Sequence, residues 1–83
     1  MDRRASIGIR GRLLLRRLCA DPRLRWPAHM LIRAAGLDPA AHSSLYELLE
    51  LGMVQLHPCE DGFIRITATA DGRRWYHSPV SRP

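Results

Sequence analysis

Leu45-Tyr46-Glu47-Leu48-Leu49-Glu50-Leu51-Gly52-Met53-Val54 opens the stretch whose reading decides the fold. It continues as Met53-Val54-Gln55-Leu56-His57, a Cys59-Glu60-Asp61-Gly62 turn, Phe63-Ile64-Arg65-Ile66-Thr67, and Thr69-Ala70-Asp71-Gly72. Leu45, Leu48 and Leu49 recur at helical spacing and, with Ala41, give one apolar stripe. Gly52 ends that helix. The two runs that follow alternate as strands do, and Asp61-Gly62 between them is a strong hairpin-turn dipeptide, since glycine accepts the positive φ required there. Thr69 is placed to cap a last helix reaching Tyr76 or His77, and Ser78-Pro79 stops it.

Working outward toward the N-terminus, Asp38 can cap the third helix with Pro39 in its first turn, so one helix is expected over residues 39–52. Ala28, Leu31, Ile32 and Ala35 form the apolar face of a second helix, with Gly36 as its left-handed cap. Trp26-Pro27 is expected to open that helix. Arg23-Leu24-Arg25 alternates and suggests a short strand pairing with the later hairpin. The first helix is expected from Ile9 to Ala20, with Gly11, Leu14, Leu15 and Leu18 on one face, and Asp21-Pro22 ends it. Leu13 falls off this stripe and is expected at the surface. The expected organisation is a flexible basic arm over residues 1–8, one domain over 9–77 and a disordered tail over 78–83.

The chain has 83 residues, enough for one small domain near the lower limit for a self-sufficient core. No apolar run approaches the roughly 18–20 residues of a membrane span, and the arginines within Leu13–Leu18 break up any signal-peptide core. A cytoplasmic protein without membrane association is therefore expected. All 13 basic residues are arginine, and lysine and asparagine are absent, which fits a GC-rich bacterial or phage genome. Arginine also makes bidentate contacts with phosphate and guanine, so this usage is compatible with a nucleic-acid partner. Cys19 and Cys59 are too few for a disulfide scaffold and read as reduced thiols.

The order helix, glycine stop, hairpin, capped helix resembles that of MarR- and PadR-type bacterial regulators. Their sequences run L-x-x-L-x-x-x-G-L-V, then a hairpin, then L-T-x-x-G. Leu45 to Val54 carries the first pattern and Thr69-x-x-Gly72 the last, with Ala68 standing where leucine is usual. The resemblance covers roughly residues 9–77 and implies an α+β winged helix-turn-helix of three helices, a two- or three-stranded wing and a short last helix. It implies a small transcriptional regulator that binds double-stranded DNA. In that family the exposed side of the third helix enters the major groove, which places His42, Ser43, Tyr46 and Glu47 there. Arg23, Arg25, His29 and Arg33 around the second helix would hold the phosphate backbone, and Arg65 on the returning strand is a further contact candidate.

Charge division complicates this expectation. Residues 1–37 hold nine arginines and two acids, for a net +7, whereas residues 38–62 hold five acids and no arginine. The supposed reading helix thus lacks cations, and the wing tip is Glu60-Asp61, which phosphates repel. A second reading follows, a protein-interaction module whose acidic third-helix and wing face binds a basic partner. A homodimer would have to form without the long C-terminal helix that such regulators commonly use.

Other functions find little support. His57-x-Cys59 lacks the second ligand pair of a zinc signature, so no metal or other cofactor is expected. No nucleophile elbow, phosphate-binding loop or paired catalytic carboxylate appears, and an enzyme is not expected. Trp26, Phe63, Trp75 and Tyr76 are scattered, which suits core and lid positions better than a base-stacking platform.

Overall fold

The computed structural model describes residues 7–77. The chain forms α1 (Ile9–Ala20), β1 (Trp26–Pro27), α2 (Ala28–Ala34), a 3-10 turn (Pro39–Ala41), α3 (His42–Glu50), β2 (Val54–Pro58), β3 (Ile64–Ala68) and α4 (Ala70–His77). It is a small α+β domain of four helices and a three-stranded antiparallel sheet ordered β1-β3-β2, compatible with the expected winged arrangement. The anticipated arm residues Arg3 and Arg4, and the tail from Ser78 onward, lie outside the described residues.

α1 has the boundaries its periodicity predicts, and Gly11, Leu14, Leu15 and Leu18 are its buried side. The face of α2 buries Leu31 and Ile32, and that of α3 buries Leu45 and Leu48. With Met53, Val54, Ile66 and Ala68 these residues make one continuous core. Ile7, placed in the arm by its sequence position, also belongs to it, at 8% exposure. Leu13 is half-buried beside Ala34 and Ala35 of α2 rather than fully exposed.

Four local expectations are corrected. Trp26-Pro27 stands just before α2 rather than in its first turn: it forms a short edge strand, with Trp26 opposite Ile66 and Pro27 opposite Arg65, and Pro27 is also the N-cap of α2. Proline suits this edge position because it has no N–H to give to a ladder. Arg23-Leu24-Arg25 consequently stays outside the sheet, in irregular backbone. The third helix is not uniform over 39–52: Asp38 accepts from the Ala40 N–H at 3.0 Å and the first turn is 3-10, while α3 itself ends at Glu50. Phe63 is not a core aromatic, being 52% exposed, whereas Trp26, Trp75 and Tyr76 are partly buried against the core.

The turn that stops α3 closes at Gly52, whose φ of 73° is the left-handed conformation expected of a helix-stopping glycine. Leu48 O accepts from the Met53 N–H at 2.9 Å, closing the cap. The turn then meets α4. Thr69 donates its N–H to Met53 O at 3.0 Å and its hydroxyl to Gly52 O at 2.6 Å, while Thr69 Oγ1 accepts from the Gly72 N–H at 3.0 Å. Gly72 lies so close that an added Cβ would fall 2.0 Å from Met53 O. The Thr69-x-x-Gly72 motif is thus a joint. Its threonine caps α4 and ties it to the α3–β2 corner, and its glycine permits the contact.

Because the clash at Gly72 is with backbone, relief requires moving α4 or the corner. Gly72→Ala is expected to lower stability by about 3 kcal/mol, measured by urea denaturation, despite alanine's better helix propensity. A variant as stable as the parent would contradict this packing. Leu48→Asp should abolish the cooperative transition, since Leu48 is 0% exposed and an unpaired carboxylate would enter the core.

Candidate nucleic-acid interface

The α2–α3 pair and the β2–β3 hairpin bring part of the expected site together. Along α3, His42, Leu45, Tyr46 and Leu49 turn toward the sheet, and Ser43, Glu47 and Glu50 follow on the outward side. Tyr46 stands between the two, 66% exposed. Ser43 is exposed, and its hydroxyl donates to Ala40 O at 3.0 Å, leaving its lone pairs available. His42 departs from the outer-face expectation: it is half-buried and faces the sheet, because it precedes Leu45, Tyr46 and Leu49 by three, four and seven residues and so shares their face of α3. His29 is exposed on α2, its ring centroid 5.9 Å from that of Phe63 beside the hairpin turn.

Between α3 and the sheet lies a groove of about 130 Å³. Its floor is the buried pair Leu45 and Ile66, and its walls include Tyr46, Leu49, Leu56 and Ile64. Ala28 at the start of α2 and His42 complete the lining, with no formally charged side chain among them. The sequence reading missed this groove. Its one signal was Ile64, which under β alternation falls on the same face as Ile66 but lies nearer the turn, where less of the core covers it.

The arginines divide into engaged and unengaged groups. Arg12 and Arg17 place their guanidinium groups 5.6 Å and 5.7 Å from the ring centroids of Trp75 and Trp26, so their stems cover half-buried aromatics. Arg74 pairs with Asp71. Arg23, Arg25 and Arg33 are exposed, and among the described residues no carboxylate pairs with them.

Arg65 is held differently from the expectation of an available contact. It grips Asp61 bidentately, at 2.7 Å to Oδ2 and 3.3 Å to Oδ1. Asp61 Oδ1 also accepts from the Phe63 N–H at 3.0 Å, so one carboxylate organises the hairpin end while Gly62 takes a φ of 85°. The hydrogen bonds from Arg65, followed by that from Phe63, hold the Asp61 carboxyl below the usual carboxylate range. The same pair raises Arg65, with a smaller contribution from Cys59. The hairpin tip therefore presents an internally neutralised pair beside Glu60. It has no cation of its own to place in a minor groove.

The two thiols do not pair, and Cys59 donates to His57 O at 3.4 Å. Burial pushes the Cys19 thiol up, partly offset by Arg73. His57 shares a 2.7 Å hydrogen bond with Thr67 across the hairpin, which gives it a structural partner. Among the described residues, no group of three His, Cys, Asp or Glu side chains is arranged to hold a metal ion, and no helix is long and apolar enough to cross a membrane. Comparison of the chain with protein-family models, curated proteins and solved structures finds no match.

The Asp61–Arg65 clamp carries a pH dependence of definite sign. Because the folded carboxyl is depressed, the clamp stabilises the hairpin in and above the ordinary carboxylate range and is lost as pH falls through the lower folded value. Carbon-detected NMR titration should place the Asp61 midpoint below that of an unpaired aspartate. Arg65→Gln should return it upward. An Asp61 midpoint at the ordinary value in the parent protein would show that the clamp does not form in solution.

Proposed function

We propose that the chain is a winged helix-turn-helix domain that binds duplex DNA, acting as a small transcriptional regulator. The observation that carries this reading is the set of exposed, uncompensated arginines on and before α2, Arg23, Arg25 and Arg33, beside a helix–turn–helix pair whose second helix shows Ser43 and Tyr46 to solvent. Arginines not bound to a carboxylate are free to displace counterions from phosphates, which is the main source of affinity for a duplex. In this arrangement α3 reads the major groove. Ser43 meets base edges or phosphate, Tyr46 contacts the backbone or thymine methyl groups, and His29 joins the phosphate contacts near the wing. The clamped Arg65 holds the wing in shape and stays off the DNA.

A second reading has its own support. The groove between α3 and the sheet is apolar, and the elements that form it, α3 and the β2–β3 hairpin, carry Glu47, Glu50 and Glu60 at exposed positions. A basic protein segment with an apolar anchor complements that surface better than a polyanion does. The same scaffold can serve either partner.

Arg33→Ala should weaken binding to all duplexes alike and reduce the steepness of the salt dependence by about one unit of log K against log salt. Tyr46→Ala should change which sequences are preferred, and His42→Ala should do so more weakly because its ring is partly withdrawn into the groove. Selection from random duplexes at fixed salt, repeated with each variant, separates the effects. A parent protein that enriches no sequence, or a Tyr46 variant with unaltered preference and affinity, would remove α3 as the reading helix.

A further inference from the structure

The outward side of α3 has a hydrogen-bonding character that duplex binding in general does not call for. Ser43 and Glu47 are four residues apart and both exposed, so they stand one above the other on the same face of the helix. The Ser43 hydroxyl hydrogen is committed to Ala40 O at 3.0 Å, which leaves Ser43 only lone pairs to offer outward. Glu47 offers a carboxylate, which accepts and cannot donate, and no cation pairs with it among the described residues. Glu50, the third outward residue, already has an interaction within the protein. Tyr46 adds a hydroxyl at the edge of this side, but neither an amide nor a cation stands on it. The surface that α3 turns outward is a row of acceptors.

Acceptors need donors. In the major groove guanine shows two acceptors, and thymine an acceptor and a methyl group, so neither answers such a row. Only the exocyclic amino groups of cytosine and adenine donate. Adenine sets its amino group beside the N7 acceptor, which repels a carboxylate, whereas cytosine has no acceptor of its own on that edge. We propose that Glu47 is a specificity-determining residue of α3 and selects cytosine at one position of the duplex by accepting from its N4 amino group. The inference rests on the reading of α3 as the helix that enters the major groove. Four residues of helix span about 6 Å and successive bases about 3.4 Å, so Ser43 addresses a base one or two steps from that cytosine. Affinity comes from Arg23, Arg25 and Arg33, while the Glu47 carboxylate lowers it for every duplex and lowers it least where a cytosine answers it.

Selection of the full chain on random duplexes at fixed salt, followed by titration of the enriched site with each base pair changed in turn, tests this. The parent should enrich a site with one position fixed as cytosine, and changing that base pair should weaken binding by about tenfold to a hundredfold. Glu47→Ala should bind unrelated duplexes more tightly than the parent and lose the preference at that position alone. Glu47→Gln should move the preference there from cytosine to adenine, because an amide accepts from N6 while donating to N7. Glu47 is exposed, so both variants should melt at the parent's temperature. An enriched site without a cytosine requirement overturns the proposal. So does a Glu47→Ala protein that gains affinity for all duplexes and keeps the cytosine, which is the behaviour of a surface charge that touches no base. Either result leaves the DNA reading in place. A parent protein that enriches no sequence refutes that reading, and the proposal with it.

Discussion

The contact between the Gly72 backbone and the Met53 carbonyl is the constraint on which the arrangement turns. α3, β2, β3 and α4 all meet at the Gly52–Met53 corner, where Thr69 gives both its N–H and its hydroxyl to consecutive carbonyls. The second bond fixes where β3 stops. With Val54 opposite Ala68 at the same end of the hairpin, the register of the whole ladder follows. A slip of one residue would send Ile66 to solvent, since side chains alternate across a sheet. The corner therefore determines which side chains of β2 and β3 face α3, and so the shape of the groove.

That geometry also explains why the charges separate cleanly. The buried stripe of α3 consumes Ala41, Leu45 and Leu48, and the groove side takes His42, Tyr46 and Leu49, which leaves Ser43, Glu47 and Glu50 for the outward side. Those outward positions hold one hydroxyl and two carboxylates and no cation. Charge available to a polyanion has to come from α2 and the segment before β1. Near the hairpin tip the sequence holds a cation, Arg65, but Asp61 lies four residues earlier on the other side of the turn and captures it. A bidentate pair of this kind has a fixed geometry that an exposed lysine pair would not impose.

Much of the fold was legible in the sequence because its signals are local. The apolar spacing of Leu14, Leu15 and Leu18 delimits α1, glycines 36, 52 and 62 mark three left-handed turns, and Thr69 caps α4. What was not legible depends on long-range pairing. Trp26-Pro27 carries a good helix-start signal, and only the presence of Ile66 across the sheet makes it a strand. His42 shares the α3 face of Leu45, Tyr46 and Leu49 by its spacing, but that face becomes a groove wall only because the sheet packs beside it. The site was less legible than the fold for the same reason. Arg65 is a free cation in the sequence and a clamped one in the structure, and the groove exists only where four separate elements converge.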